Sequence, residues 1–198
     1  DFVTVYPLPN ASLSTQTPEV CEGATVKLRV DLVGEGDISV TIVNNTNTYF
    51  HQFTGIAGTY FVDVNPAIGT HIYTVSEVSD NSPLTCTRFN ASSLTVKVNQ
   101  KPTATLTSTS EVCEGNTVNL EFDIVGSGLM TVYFENDQGG SGSFTTTGGY
   151  TNLVVDPFPA TGTIKYYITA IESQNGVVCT GISSDTAIVK VFPNPVVS

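Results

Sequence analysis

Val20-Cys21-Glu22-Gly23-Ala24-Thr25-Val26-Lys27-Leu28-Arg29-Val30-Asp31-Leu32-Val33-Gly34 holds two features that decide the fold. Val26, Leu28, Val30 and Leu32 alternate with Lys27, Arg29 and Asp31, the period of two that marks a strand with one buried face. The same stretch returns 92 residues later, from position 21 to position 113, as Val112-Cys113-Glu114-Gly115 followed by alternating Val118, Leu120, Phe122 and Ile124. Leu32-Val33-Gly34 returns as Ile124-Val125-Gly126 in the same register.

Further matches extend the repeat over the whole chain. Pro66-Ala67-Ile68-Gly69-Thr70 returns as Pro159-Ala160-Thr161-Gly162-Thr163, and Cys86-Thr87 as Cys179-Thr180, each 93 residues on. Val3-Thr4-Val5 with Pro9, Val96-Lys97-Val98 with Pro102, and Val189-Lys190-Val191 with Pro195 mark three junctions at the same interval. The chain therefore divides into the end of a preceding repeat (1–8), one module (9–101), a second module (102–192), and the start of a following repeat or a sorting domain (193–198). It reads as a piece cut from a longer tandem array. The junctions Tyr6-Pro7-Leu8-Pro9 and Asn99-Gln100-Lys101-Pro102 contain proline and no glycine, as semi-rigid spacers do.

Alternation recurs at Ile38, Val40 and Ile42, at Tyr60, Val62 and Val64, from Ile72 to Val78, and at Leu94, Val96 and Val98. Gly, Pro, Asn and Asp clusters separate these runs, and no stretch has helical period. About seven short strands per module give an all-β chain of two tandem immunoglobulin-like β-sandwich modules.

Composition narrows the function classes. Seven Lys and Arg face 18 Asp and Glu among 198 residues, a net charge of −11. Both halves are acidic, so neither offers the basic face that nucleic acid or an anionic membrane surface demands. Charged residues make up 13%, against the usual ~25%, so the polar surface is largely Ser, Thr, Asn and Gly. No run approaches the ~20 apolar residues of a membrane helix.

Four cysteines at matched positions in an acidic β-protein point to disulfides and an oxidising compartment. Zinc is disfavoured, because no C-x-x-C is present and both histidines, His51 and His71, fall in the first module. The pairing expected first is within modules, Cys21–Cys86 and Cys113–Cys179. However, Cys86 follows Tyr73 by 13 residues and lies past the sixth strand, whereas Cys21 precedes the second. In a plain immunoglobulin topology those places are at opposite ends of the sandwich. A bond between modules, Cys21–Cys179, removes that difficulty and stays open.

The cysteine motif, the Gly-Thr strand start, Cys-Thr and Val-x-Val with its proline linker together resemble the PKD-like/immunoglobulin-like tandem repeats of large Bacteroidota cell-surface adhesins. Those include gliding-motility adhesins exported by the type IX secretion system. The resemblance implies an extracellular, cell-surface, extended, adhesive or stalk-forming polypeptide whose partners are its neighbouring repeats and a surface polysaccharide or other cell-surface ligand. Val191-Phe192-Pro193-Asn194-Pro195 also resembles the opening of a type IX sorting domain, and Asp185-Thr186-Ala187 the O-glycosylation site of such bacteria.

Catalysis finds little support. A nucleophilic Ser or Cys needs a base, and neither histidine has a counterpart in the second module. No acidic pair is brought into a cleft by spacing alone. Gly139-Gly140-Ser141-Gly142 lacks the lysine of a phosphate loop and reads as a hairpin. No cofactor is called for except calcium, whose weak candidate ligands are Asp80 and Glu172 in oxygen-rich turns. The copies agree least in their middle segments, so Tyr49, Phe50, Phe53, Phe144 and Tyr150 are the candidate binding residues. A spacer within an adhesin stalk is expected first, with a glycan- or protein-binding module, or accessory repeats flanking a secreted enzyme, as alternatives.

Overall fold

The computed structural model describes residues 3, 5–45, 51–81, 83–108, 111–155, 161–181, 183 and 185–195, the side chains of 51, 52 and 90 aside. The chain forms two compact units, Asp1–Val98 and Asn99–Ser198.

The first unit is built from β1 (Asn10–Ser14), β2 (Glu19–Cys21), β3 (Val26–Val33), β4 (Ile38–Asn44), β5 (His51–Gly55), β6 (Gly58–Val64), β7 (Gly69–Asp80) and β8 (Thr87–Asn99). Its two sheets run β1-β3-β6 and β2-β8-β7-β4-β5. The second unit repeats this with β9 (Thr103–Ser108), β10 (Glu111–Cys113), β11 (Val118–Val125), β12 (Leu129–Asn136), β13 (Ser141–Thr146), β14 (Gly149–Val155), β15 (Gly162–Asn175), β16 (Val177–Gly181) and β17 (Thr186–Phe192). Its sheets run β14-β11-β9 and β10-β17-β15-β12-β13, with β16 added to β15. All strands of the quoted stretch and its copy sit where alternation puts them.

Alternation explains the cores. Val26, Leu28, Val30 and Leu32 are buried, as are Val118, Leu120, Phe122 and Ile124 in the second copy. They meet Ile38, Val40, Val75 and Val96 in one unit and Met130, Val132, Ile164 and Val189 in the other. Each such side chain contributes about 1.5–3 kcal/mol on leaving water. The long strands β7 and β15 also share a bulge: Ser76 is the extra residue opposite Thr41/Ile42 of β4, and Thr169 the extra residue opposite Tyr133/Phe134 of β12. The bulge flips the alternation locally and lets a long strand keep its apolar face inward.

Prolines seat the start of each sandwich. A methyl group on Gly34 would meet Pro9, and one on Gly126 or Gly181 would meet Pro102. Asn99, buried, donates from Nδ2 to the Asn175 carbonyl at 2.9 Å. The segment entering the second unit is thus held by packing as well as by the fixed φ of proline.

Candidate functional site

The four cysteines sit in two kinds of local frame. Cys21 ends β2 and Cys113 ends β10, each opening a tight turn in which the amide of Ala24 or Asn116 donates to the cysteine carbonyl at 3.1 Å. The third turn residue is Gly23 at φ +79° or Gly115 at φ +84°, the left-handed conformation that the third position of a type II turn requires. This is why Cys-Glu-Gly recurs. At the end of β10, the Glu114 amide donates to the Phe192 carbonyl at 2.8 Å and Cys113 pairs with Phe192.

Cys86 and Cys179 stand where the chain turns into the last long strand. Cys179 lies within β16, fully buried and paired with Ser173, whose hydroxyl donates to the Cys179 carbonyl at 3.4 Å. Cys86 precedes β8; its amide donates to Asp80 Oδ1 at 3.0 Å and its carbonyl accepts from the Asp80 amide at 3.1 Å. Asp80 and Ser173 occupy equivalent places and grip equivalent cysteines. Beside Cys86, Thr85 has φ +48°, where a β-branched residue is strained. Thr85→Asn should therefore raise stability by about 1 kcal/mol, read as a higher urea midpoint at unchanged m. An unchanged or lower midpoint would show that Thr85 carries no strain.

Cys86 and Cys113 are free thiols, and Cys21 and Cys179 are disulfide-bonded. The pairing expected first, Cys21–Cys86 with Cys113–Cys179, is corrected by this. The reason is distance. In the second unit Cys113 is level with Phe192, beside Val191 and its partner Gly162, whereas Cys179 is level with Ser173. Gly162 and Ser173 are eleven residues apart along β15, roughly 35 Å at about 3.3 Å per residue. A disulfide needs Cα atoms within ~7 Å. The first unit has the same problem: the Lys97 amide donates to the Pro18 carbonyl at 2.8 Å, placing β2 at the far end of β8 from Cys86.

The aromatic candidates separate. Tyr49 and Phe50 lie outside the described residues. Phe53 packs on the first core with its ring 5.4 Å from Tyr60, and Phe144 packs edge-on to Phe122 at 4.9 Å in the second. Both rings face inward and offer little to a ligand. Tyr150 on β14 is 62% exposed, and a hydrogen bond to the Glu121 carboxylate raises its hydroxyl above the ordinary tyrosine value.

Asp80 is buried and committed to the Cys86 amide, while Glu172 is half-buried on β15 between Thr131 and Thr180. Among the described residues no group of three or more His, Cys, Asp or Glu could hold a metal ion. His71 is buried, its Nε2 donating to the Ala67 carbonyl at 2.7 Å and its Nδ1 accepting from Asn44 at 3.4 Å. That is a satisfied core histidine rather than a base beside a nucleophile. The His51 side chain lies outside the described residues. Among the described residues no helix is long and apolar enough to cross a membrane.

A shallow groove of about 530 Å³ in the first unit is lined by Thr15, Gln16, Lys27, Arg29 and Phe61, among others. Lys27 Nζ lies 5.8 Å from the Phe61 ring centre. Sequence reasoning missed this groove, since its residues are spread over three strands. The second unit has Asn119 and Glu121 in place of Lys27 and Arg29, so the groove's chemistry is not repeated.

Solved structures share this architecture. An I-band fragment of titin is 13% identical, with a TM-score of 0.50 over 94% of this chain and 66% of the fragment. A marsupial T cell receptor is 11% identical, with a TM-score of 0.51 over 92% of this chain and 72% of the receptor chain. This chain thus spans just under two thirds of the titin fragment's length. At such identities the likeness is one of fold: two tandem immunoglobulin-like sandwiches. No family model matches the chain, and no curated protein matches it.

Proposed function

We propose that this chain is a non-catalytic structural segment of an extended bacterial cell-surface adhesin, built from tandem disulfide-bearing modules. One observation carries the reading: the chain folds as two immunoglobulin-like sandwiches in tandem, with Cys21 and Cys179 disulfide-bonded and Cys86 and Cys113 free.

Disulfide-bearing sandwiches joined by the short proline-containing segment Asn99-Gln100-Lys101-Pro102 suit a stalk. Folded sandwiches resist unfolding and proteolysis, and the net charge of −11 keeps neighbouring chains apart. The resemblance to tandem repeats of gliding-motility adhesins, exported by type IX secretion, supports a surface location, as do disulfides in an acidic β-protein. Binding to a surface polysaccharide or protein would then belong to another part of such a protein, or arise weakly through many copies.

The test is binding of the chain, clustered on beads, to polysaccharides and cell surfaces, with and without calcium. The stalk reading expects no saturable binding above beads carrying an unrelated acidic protein. Saturable binding lost on Tyr150→Ala or Phe61→Ala would make the modules themselves adhesive and overturn it.

A further inference from the structure

We infer that Asn175 is a self-modification site: the Gly176 amide nitrogen closes on the Asn175 side chain, expels ammonia and leaves isoaspartate or aspartate at the tip of the β15–β16 hairpin. Asn175-Gly176 is the only Asn-Gly pair in the chain. Asn65 and Asn194 are followed by proline, which has no N–H to react. Every remaining asparagine is followed by a residue whose side chain crowds the amide nitrogen.

The hairpin explains the pair and presents it. β15 ends at Asn175 and β16 begins at Val177, with Gln174 level with Val178. Gly176 stands between them at φ +84°, in the kind of tight turn that favours Asn-Gly. Gly176 is exposed and Asn175 half-buried, so solvent base reaches the attacking amide. The Asn175 side chain is lightly held, its Nδ2 donating to Ser127 Oγ at 3.4 Å. In the first unit the same place, 93 residues earlier, is Ser82-Pro83, which lacks both the side-chain amide and the attacking N–H.

The step balances without an oxidant or reductant. The Gly176 nitrogen gives its proton to base and attacks Asn175 Cγ. The new C–N bond closes a five-membered succinimide as the Cγ–Nδ2 bond breaks and ammonia departs with a proton from water. Water then opens the ring at either carbonyl. Opening at Cγ gives aspartate on the original backbone. Opening at the main-chain carbonyl gives isoaspartate, in which the backbone runs through Cβ and is one carbon longer. Either product makes a chain of net charge −11 more acidic. Isoaspartate also turns the Asn175 main-chain carbonyl, which accepts from buried Asn99 Nδ2 at 2.9 Å, into a free carboxylate. The extra carbon shifts the pairing of Gln174 with Val178 and of Ser173 with Cys179, so β16 loosens in the second unit alone.

The experiment ages the full chain in mildly alkaline buffer, with Cys86 and Cys113 alkylated to block exchange. Tryptic peptides are compared with those of an unaged sample by mass spectrometry and by an isoaspartate-specific methyltransferase. Peptide 166–190 holds Asn175 as its only asparagine. The expected result is that 166–190 gains the mass difference between OH and NH2 and accepts methyl groups, while peptides bearing the other asparagines stay unchanged. Asn175→Gln should abolish both signals. Amide exchange in the aged chain should show protection lost from β16 and kept in β8. Isoaspartate spread evenly over the other asparagines, or reaction at Asn175 only after denaturation, would overturn the site. Full β16 protection in the modified chain would overturn the loosening.

Discussion

Phe122→Ala is expected to unfold the second unit while leaving the first intact. The ring is fully buried at the centre of β11, 4.9 Å from Phe144 and 5.7 Å from Phe134. Truncating such a ring costs about 3–5 kcal/mol through lost transfer energy and the cavity left behind. Loss of the ring pairs adds about 0.5–1.5 kcal/mol each. A domain has about 5–15 kcal/mol in all, so little remains. The two apolar cores share no residue, so the damage stays local. The equivalent position in the first unit is Val30, also fully buried, where Val30→Ala should cost only about 2 kcal/mol. Amide exchange resolved by residue checks this: Phe122→Ala should strip protection from β9–β17 and spare β1–β8. Loss of protection across both units would mean that the two cores are not energetically separate.

Cys21→Ser is expected to have the next largest effect. Cys21 is disulfide-bonded, and removing a native disulfide costs about 2–5 kcal/mol. Thermal unfolding of the variant should begin well below that of the oxidised parent and match the parent treated with reductant. Reductant should then do nothing further to the variant. The variant should also expose a third thiol on denaturation, since the partner of Cys21 would be released. A reductant-sensitive midpoint in Cys21→Ser would instead reveal a second disulfide, through Cys86 or Cys113.

Alternation made most of the fold legible. The strands around Val26–Val33 and Val118–Val125 each bury one face, and a period of two announces that directly. The strands that escaped notice lack that signal for physical reasons. β2 and β10 are three residues long and earn their place by pairing with a distant strand, β8 or β17. β13, Ser141–Thr146, is rich in Ser, Thr and Gly, and Gly142 leaves room that the Phe134 ring fills. Cys86 was correctly read as lying past the strand that bears Tyr73, and that placement already argued against an intramodular bond. The preference for that bond came from counting two cysteines per repeat, whereas register along β7 and β15 decides which sulfurs can meet. Which candidate rings pack inward, as Phe53 and Phe144 do, is not separable in the sequence, because variable segments and core-facing rings share the same composition.

The most direct measurement is a tryptic digest of the unreduced monomer under conditions that block exchange, followed by mass spectrometry of linked peptides. The account predicts alkylated thiols at Cys86 and Cys113, with Cys21 on peptide 1–27 and Cys179 on peptide 166–190 alkylated only after reduction. Peptide 1–27 linked to 30–88, or 98–165 linked to 166–190, would contradict it and return each module to an internal disulfide.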